Sequence, residues 1–348
     1  MVVNCVPHFH GFTEKMQAVD DEVLLAIWQW LSEGKRCWLA TVIETWGSSP
    51  RPVGSLFACD ETGSIVGSLS GGCVEEDLLE KLTSGELARD RAQYFQYGIT
   101  AEETEKFGLP CGGSLHIVIE PLQAQPDVLD HFARLREEVQ ARHWIERRVE
   151  LATGSMTLQD AHAHAPLAWQ KNREVLIHTY GPRHQLFIIG AGMVSKYLAE
   201  LALKLDYQVR VCDPRAHLLD DFGVAGAILI NDMPDDAVRK YANDPASAIV
   251  ALTHDPRIDD MGLMEALNTP SFYVGAMGSS RTSAGRRERL RALDISPEAI
   301  ERLHAPIGLP IGSKTPPEIA IAIMAEIIAI RNHALAAAET RLAAATAV

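Results

Sequence analysis

Apolar residues return every three or four positions after Asp20-Asp21-Glu22. Val23, Leu24, Ile27, Trp28 and Leu31 share one helical face, and Gly34 stops the helix. Residues 37–44 form a nearly continuous apolar run, as a buried strand does. A stiff polar loop follows, Gly47-Ser48-Ser49-Pro50-Arg51-Pro52. Residues 55–59 and 64–67 predict a hairpin that turns at Asp60-Glu61-Thr62-Gly63. After Ser70-Gly71-Gly72-Cys73 a helix begins, with Glu75, Glu76 and Asp77 in the first turn, where the macrodipole favours anions. Residues 115–120 read as a strand. Residues 126–143 read as a helix with Val128, Leu129, Phe132, Leu135 and Val139 on one face. Residues 147–151 and 174–180 read as strands, and 153–173 are expected to be a mobile loop.

The second half alternates. Strand-like runs at 186–189, 208–212, 227–230, 248–253 and 272–275 are separated by helical runs, the pattern of a parallel, doubly wound sheet. The expected fold class is therefore α/β: a C-terminal Rossmann-like doubly wound parallel sheet plus an N-terminal α/β domain. A length of 348 residues suits two domains. The expected boundaries are 13–181 and 182–335, divided at Gly181-Pro182, with an Ala-rich tail over 336–348. The most apolar stretch, 319–330, is interrupted by Glu326 and is too short to span a bilayer, so it reads as a buried helix.

Composition narrows the partners. Hydrophobic residues are 47% and charged residues 22%, enough apolar material for a sizeable core in a soluble chain. A net charge of -14 argues against a nucleic-acid partner, which a basic excess would serve. It leaves room for a local pocket that takes one anionic small molecule. No targeting segment is visible at the start, so a cytoplasmic protein with no membrane association is expected. The six cysteines fit neither a zinc-site spacing nor a disulfide framework, which suits reduced thiols.

The chemistry begins at Gly190-Ala191-Gly192. It follows a short apolar strand and opens a helix. The first glycine permits the tight turn, the second lets backbone approach a pyrophosphate, and helix N–H groups then face the anion. Ser195 stands where the fingerprint has a third glycine and is small enough for close packing. Asp213 ends the second strand 21 residues after Gly192, where a carboxylate would meet ribose hydroxyls. Ligands in such sheets sit at the carboxyl ends of strands, which adds His254, Gly278, Ser279 and Arg281 as candidates. Lys314, near the last helix start, either meets an anion or is solvated while Thr315 caps the helix.

Two loops pair cysteine with glycine. Cys73 follows Gly71-Gly72 at a helix start, where free N–H groups lower a thiol pKa and neighbouring carboxylates raise it. Cys111 precedes Gly112-Gly113, so a ligand can approach its sulfur. Cys37, Cys59 and Cys212 lie in strand-like runs and read as inert core residues.

Several of these segments together resemble the XdhC/CoxI family. They are Trp46-Gly47-Ser48-Ser49-Pro50-Arg51-Pro52-Val53-Gly54, Gly67-Ser68-Leu69-Ser70-Gly71-Gly72-Cys73-Val74-Glu75, Cys111-Gly112-Gly113, the Gly190 turn and Ile307-Gly308-Leu309-Pro310-Ile311-Gly312-Ser313-Lys314-Thr315-Pro316. The resemblance runs from about Asp20 to Asn332. It implies an accessory chaperone that binds the molybdenum cofactor, supports its sulfuration with a cysteine desulfurase, and inserts it into a molybdenum hydroxylase of xanthine dehydrogenase or aldehyde oxidoreductase type. The cofactor is a pterin with a phosphate and a dithiolene, in some forms extended as a cytosine dinucleotide. On that resemblance Cys73 and Cys111 become candidate molybdenum contacts, Arg51 and Arg281 candidates to hold phosphate, and Ser49 and Arg215 further candidate cofactor contacts. A homodimer is the default assembly. Where many relatives carry a Gly-His pair after the turn, this chain has Met193-Val194-Ser195, which leaves the bound nucleotide open. Two other readings stand beside the chaperone: an NAD-dependent oxidoreductase, and a non-catalytic protein that bridges desulfurase and hydroxylase.

Overall fold

The computed structural model of the chain describes residues 19–46, 51–70, 73–98, 114–162 and 164–346. The first helix, α1 (Val19–Ser32), buries Val23, Leu24, Ile27 and Leu31 as its period requires. It ends where Gly34 takes φ +79°, and the Gly34 and Lys35 N–H groups donate back to the Leu31 and Trp30 carbonyls.

Five strands follow: β1 (Cys37–Trp46), β2 (Leu56–Asp60), β3 (Ile65–Gly67), β4 (Gln93–Tyr97) and β5 (Ser114–Leu122). They form one antiparallel sheet in the order β3-β2-β1-β5-β4. The nearly continuous apolar run of β1 has a simple cause. Cys37 and Leu39 face α1 and α3 (Pro126–Gln140), whereas Trp38, Ala40 and Val42 face α2 (Cys73–Thr83), so both sides of the strand are covered.

A second antiparallel sheet comprises β6 (Trp144–Glu150), β7 (Ser155–Ala161), β8 (Ala168–Gln170) and β9 (Val175–Tyr180), ordered β7-β6-β9-β8. The expectation of a mobile loop over 153–173 is corrected here. Met156 and Leu158 lean onto the core, while Ser155, Thr157 and Gln159 face solvent. Only Met156 and Leu158 mark the strand as apolar, because its other face is open to solvent.

The two antiparallel sheets are joined by a buried ion pair. Arg147 of β6 donates from Nη1 and Nη2 to both oxygens of Glu120 on β5, at 2.8 and 2.7 Å. Its Nε donates to His131 Nε2 at 3.0 Å, which requires that nitrogen to carry a lone pair.

Burial and nearby arginines push His131 and His178 down to about 3 and His184 down to about 4. All three are neutral in the fold and protonate near pH 6.5 when unfolded. Their contribution is complete above that value and declines as pH falls, because the unfolded chain then binds more protons. Denaturant titrations should lose about 1 kcal/mol per histidine between pH 7 and 5.5. A flat profile would contradict this account of their burial.

The second half is a six-stranded parallel sheet. Its strands are β10 (Gln185–Ile189), β11 (Gln208–Cys212), β12 (Ile228–Ile230), β13 (Ser247–Ala251), β14 (Tyr273–Ala276) and β15 (Leu303–His304). The order is β12-β11-β10-β13-β14-β15, and the direction of winding reverses between β10 and β13. Leu186 and Ile188 of β10 pack under α4 (Met193–Lys204) and the last helix, α10 (Pro316–Thr346). Phe187 and Ile189 pack on the other side, under α6 (Pro234–Tyr241), α7 (Pro256–Ala266) and α8 (Ser280–Ala292). Two short helices, α5 (Ala216–Asp220) and α9 (Pro297–Glu301), complete this half. The Rossmann-type expectation holds, and every strand placed by the apolar runs is present.

The N-terminal half meets the amino ends of this sheet. Arg142, just past α3, makes a two-bond pair with Asp244 ahead of β13, at 2.8 and 2.9 Å. The carboxyl ends, including the Gly190 turn, lie at the opposite edge.

Candidate functional site

The turn after β10 meets both demands on its first glycine. Gly190 has φ +104°, and a Cβ there would come 2.7 Å from Thr253 Cγ2 and 3.0 Å from Thr253 backbone atoms. Gly192 differs. It is the N-cap of α4, its φ of -91° suits any residue, and nothing lies within 4 Å of where a Cβ would project. No side chain caps this helix, so its first N–H groups are left to a ligand or water. Ser195 is fully buried in the first turn of α4, and its hydroxyl has no partner among the described residues. It fills the place of the third glycine by size alone.

Asp213 is in place but its oxygens are taken. Oδ2 accepts from Ala191 N–H at 2.9 Å and from Arg215 Nη2 at 2.8 Å; Oδ1 accepts from Arg215 N–H and Nε at 3.0 and 2.8 Å. Burial pushes its carboxyl up, but the Arg215 and Ala191 hydrogen bonds outweigh this and hold it below the usual range. Asp213 therefore braces the turn and fixes Arg215, whose half-buried guanidinium stands beside it at the end of β11.

The loops after β13 and β14 are tied together by ions. Asp259 Oδ1 accepts from the Thr253 N–H and hydroxyl, at 3.1 and 2.7 Å. Asp259 Oδ2 and Asp260 Oδ1 accept from Arg286 Nη2 and Nε, at 2.9 and 3.0 Å. Arg286 Nη1 also donates to the Met277 carbonyl at 3.0 Å. One buried guanidinium thus fixes Thr253 against Gly190 and Met277 ahead of Gly278. Ser279 spends its hydroxyl on its own helix, accepting from Thr282 N–H at 3.1 Å. His254 and Arg281 are exposed at this edge.

The loop before α10 is held by Glu326, which accepts from the Tyr273 hydroxyl and, at 2.8 Å, from Gly308 N–H. Ile307 N–H donates to the Ala276 carbonyl at 3.1 Å, so this loop also starts at the carboxyl edge. Glu318 caps α10 by accepting from the Lys314 and Thr315 N–H groups, each at 2.9 Å, which leaves the Lys314 ammonium exposed. Gly190, Gly192, Asp213, Arg215, His254 and the 278–281 segment thus share the carboxyl edge.

The N-terminal candidates lie elsewhere. Cys73 is the first residue of α2. Glu75, in the same first turn, gathers the strand exit: it accepts from the Ser68 hydroxyl, the Leu69 and Ser70 N–H groups and the Ser70 hydroxyl, each at 2.8 Å. From sequence, Glu75 is only one of a run of acids. Ser49, Gly71, Gly72, Cys111 and Gly112 fall outside the described residues. Trp46 pairs with Ser114 at one end of the five-stranded sheet. Arg51 lines a cavity with Arg183 and His184, at the amino end of β10, and so does not join the Gly190 turn within one chain. Burial pushes the Cys37, Cys59 and Cys212 thiols up to about 12, which makes them poor nucleophiles. Among the described residues no cluster of three metal-ligating side chains occurs, and no helix is long and apolar enough to cross a membrane.

Comparison with known proteins agrees with this architecture. The family model described as the XdhC Rossmann domain matches residues 186–327, and the one described as the XdhC and CoxI family matches residues 30–98. A protein of Bacillus subtilis (strain 168), described as a probable xanthine dehydrogenase subunit, is 25% identical over 326 residues, covering 87% of this chain and 96% of that protein. The molybdenum cofactor insertion chaperone PaoD of Escherichia coli (strain K12) is 27% identical over 309 residues, covering 87% of this chain and 86% of its own. A crystal structure described as a xanthine dehydrogenase from Bacillus halodurans superposes with a TM-score of 0.68 at 25% identity, over 89% of this chain and 96% of that one.

Proposed function

Because the chain belongs to the XdhC and CoxI family, we propose that it carries the molybdenum cofactor and delivers it to a molybdenum hydroxylase of xanthine dehydrogenase or aldehyde oxidoreductase type. One observation carries the reading: the open Gly192 cradle at the uncapped start of α4, with Arg215 anchored nearby. Phosphate fits there, since backbone N–H groups and a helix N-terminus favour an anion and a guanidinium binds phosphate in two-point fashion. The cargo's pyrophosphate, in a cytosine dinucleotide form, is the group this corner suits. The protein shelters the cargo while a cysteine desulfurase supplies the sulfur that replaces an oxo ligand. Cys73 and Cys111 are its soft contacts to molybdenum or to that sulfur. The working form is a cytoplasmic homodimer, in which a loop from one protomer has the chance to reach the turn of its partner.

The glycine turn and strand order also suit an NAD-dependent oxidoreductase. The Asp213 contacts weigh against it, because the carboxylate that would accept from a ribose diol is filled by Ala191 and Arg215. Mass spectrometry of the purified, denatured protein separates the two. The carrier reading expects a molybdenum pterin to be released. A nicotinamide nucleotide, or tight NADH binding with turnover of a carbonyl substrate, would overturn it.

A further inference from the structure

His254 stands out by its backbone. Its φ of +65° lies in the left-handed region, which residues other than glycine enter at a cost. Arg142, Asp206 and Asp294 enter it too, but each lies one residue past the C-cap of a helix, α3, α4 and α8, where the helix end calls for it. His254 instead lies between β13 and Asp255, the N-cap of α7. The turn around it is braced. The Thr253 hydroxyl accepts from Asp255 N–H at 2.9 Å and donates to Asp259 Oδ1 at 2.7 Å, and Arg286 holds Asp259.

No contact among the described residues offsets the cost. The imidazole is exposed and meets no hydrogen-bond partner there. The neighbouring carboxylates are engaged by other groups: Asp213 by Arg215, Asp255 by Arg257, and Asp259 by Thr253 and Arg286. Glycine would make the same turn without strain. Strain that a rigid loop maintains at the mouth of a site marks a group kept for function.

The sheet says where the imidazole stands. Cys212 and Ala251 both pair with Ile189, one from each side. Arg215 follows Cys212 by three residues, and His254 follows Ala251 by three. The two side chains thus flank the Gly190–Gly192 turn, on strands about 10 Å apart, two strand spacings. That span is wider than one phosphate group and suits two linked ones. Arg215 binds Asp213 through Nε and Nη2, which leaves Nη1 to donate. An imidazole N–H is the matching donor on the other side.

We propose that His254 selects a cargo with two linked phosphates over one with a single phosphate, by donating to the second phosphate across the turn from Arg215. This rests on the carrier reading and adds to it the residue that makes the choice. The test is equilibrium dialysis of the purified full-length protein against two probes, the molybdenum pterin as its monophosphate and as its cytosine dinucleotide. Thermal unfolding is followed in parallel. In His254→Gly and His254→Asn the affinity for the dinucleotide form should fall about tenfold, and that for the monophosphate less than about twofold. The thermal midpoint of His254→Gly should hold or rise, because glycine relieves the strain. A histidine kept for the turn alone would give the reverse, a lower midpoint with unchanged binding. That result, or an equal loss for both forms, overturns the proposal while the carrier reading stands. Failure of the wild type to bind either form overturns both.

Discussion

Gly192→Asp leaves the fold intact and weakens cofactor binding by a hundredfold or more, about 3 kcal/mol. The N-cap backbone at Gly192 is extended, and aspartate is among the favoured N-cap residues. With no atom within 4 Å of the new Cβ, the side chain enters free space. There it caps the N–H groups that phosphate would use and adds a negative charge in phosphate's place. The thermal midpoint should therefore hold steady or rise while retention of the cofactor on a sizing column is lost. Gly190→Ala gives the opposite split. Its φ of +104° and the clash with Thr253 lower stability, whatever the ligand. Equal retention by wild type and Gly192→Asp would remove the turn from the binding site.

Arg286→Ala costs about 3–5 kcal/mol, because it leaves the buried Asp259 carboxylate without a cation, while Asp260 keeps only Arg289, at 2.6 Å. Arg286 and Asp259 side chains are 2% and 1% exposed, so water does not replace the lost contacts. For a domain of this size the thermal midpoint should fall by roughly 6–20 °C. The damage is local to function too, since the same guanidinium fixes the Thr253 and Met277 loops at the carboxyl edge. Urea unfolding measures it directly; a loss below about 1 kcal/mol would mean that packing, not the ion network, sets these loops.

What was legible in the sequence follows from how each element is buried. The apolar runs of β10 and β13 lie in a sheet covered on both sides, so each stands out without knowledge of its neighbours. The glycine turn is equally local: the strand before it and the helix after it are adjacent in sequence. Edge strands hide. β4, Gln-Tyr-Phe-Gln-Tyr, and β7 each pack on one side only, and β15 is two residues long. Residues that act through distant partners hide more completely. Glu326 is only an interruption in an apolar helix until the fold brings Tyr273 and Gly308 to it. Asp213 shows the same limit. Its position at the end of β11 is readable, but its engagement by Arg215 is not, and that engagement changes what the corner recognises. Arg51 reads as a phosphate ligand from the family resemblance; only the packing of the two halves puts it at the amino end of the sheet.

The central claim is delivery of the cofactor. The most direct test mixes the cofactor-loaded protein with a purified apo-form of a molybdenum hydroxylase and follows the appearance of hydroxylase activity. The account predicts activation by the wild-type chain well above that from an equal amount of free cofactor, and none beyond the free-cofactor level from Gly192→Asp. Activation no greater than free cofactor alone, with the wild-type chain fully folded, would contradict it.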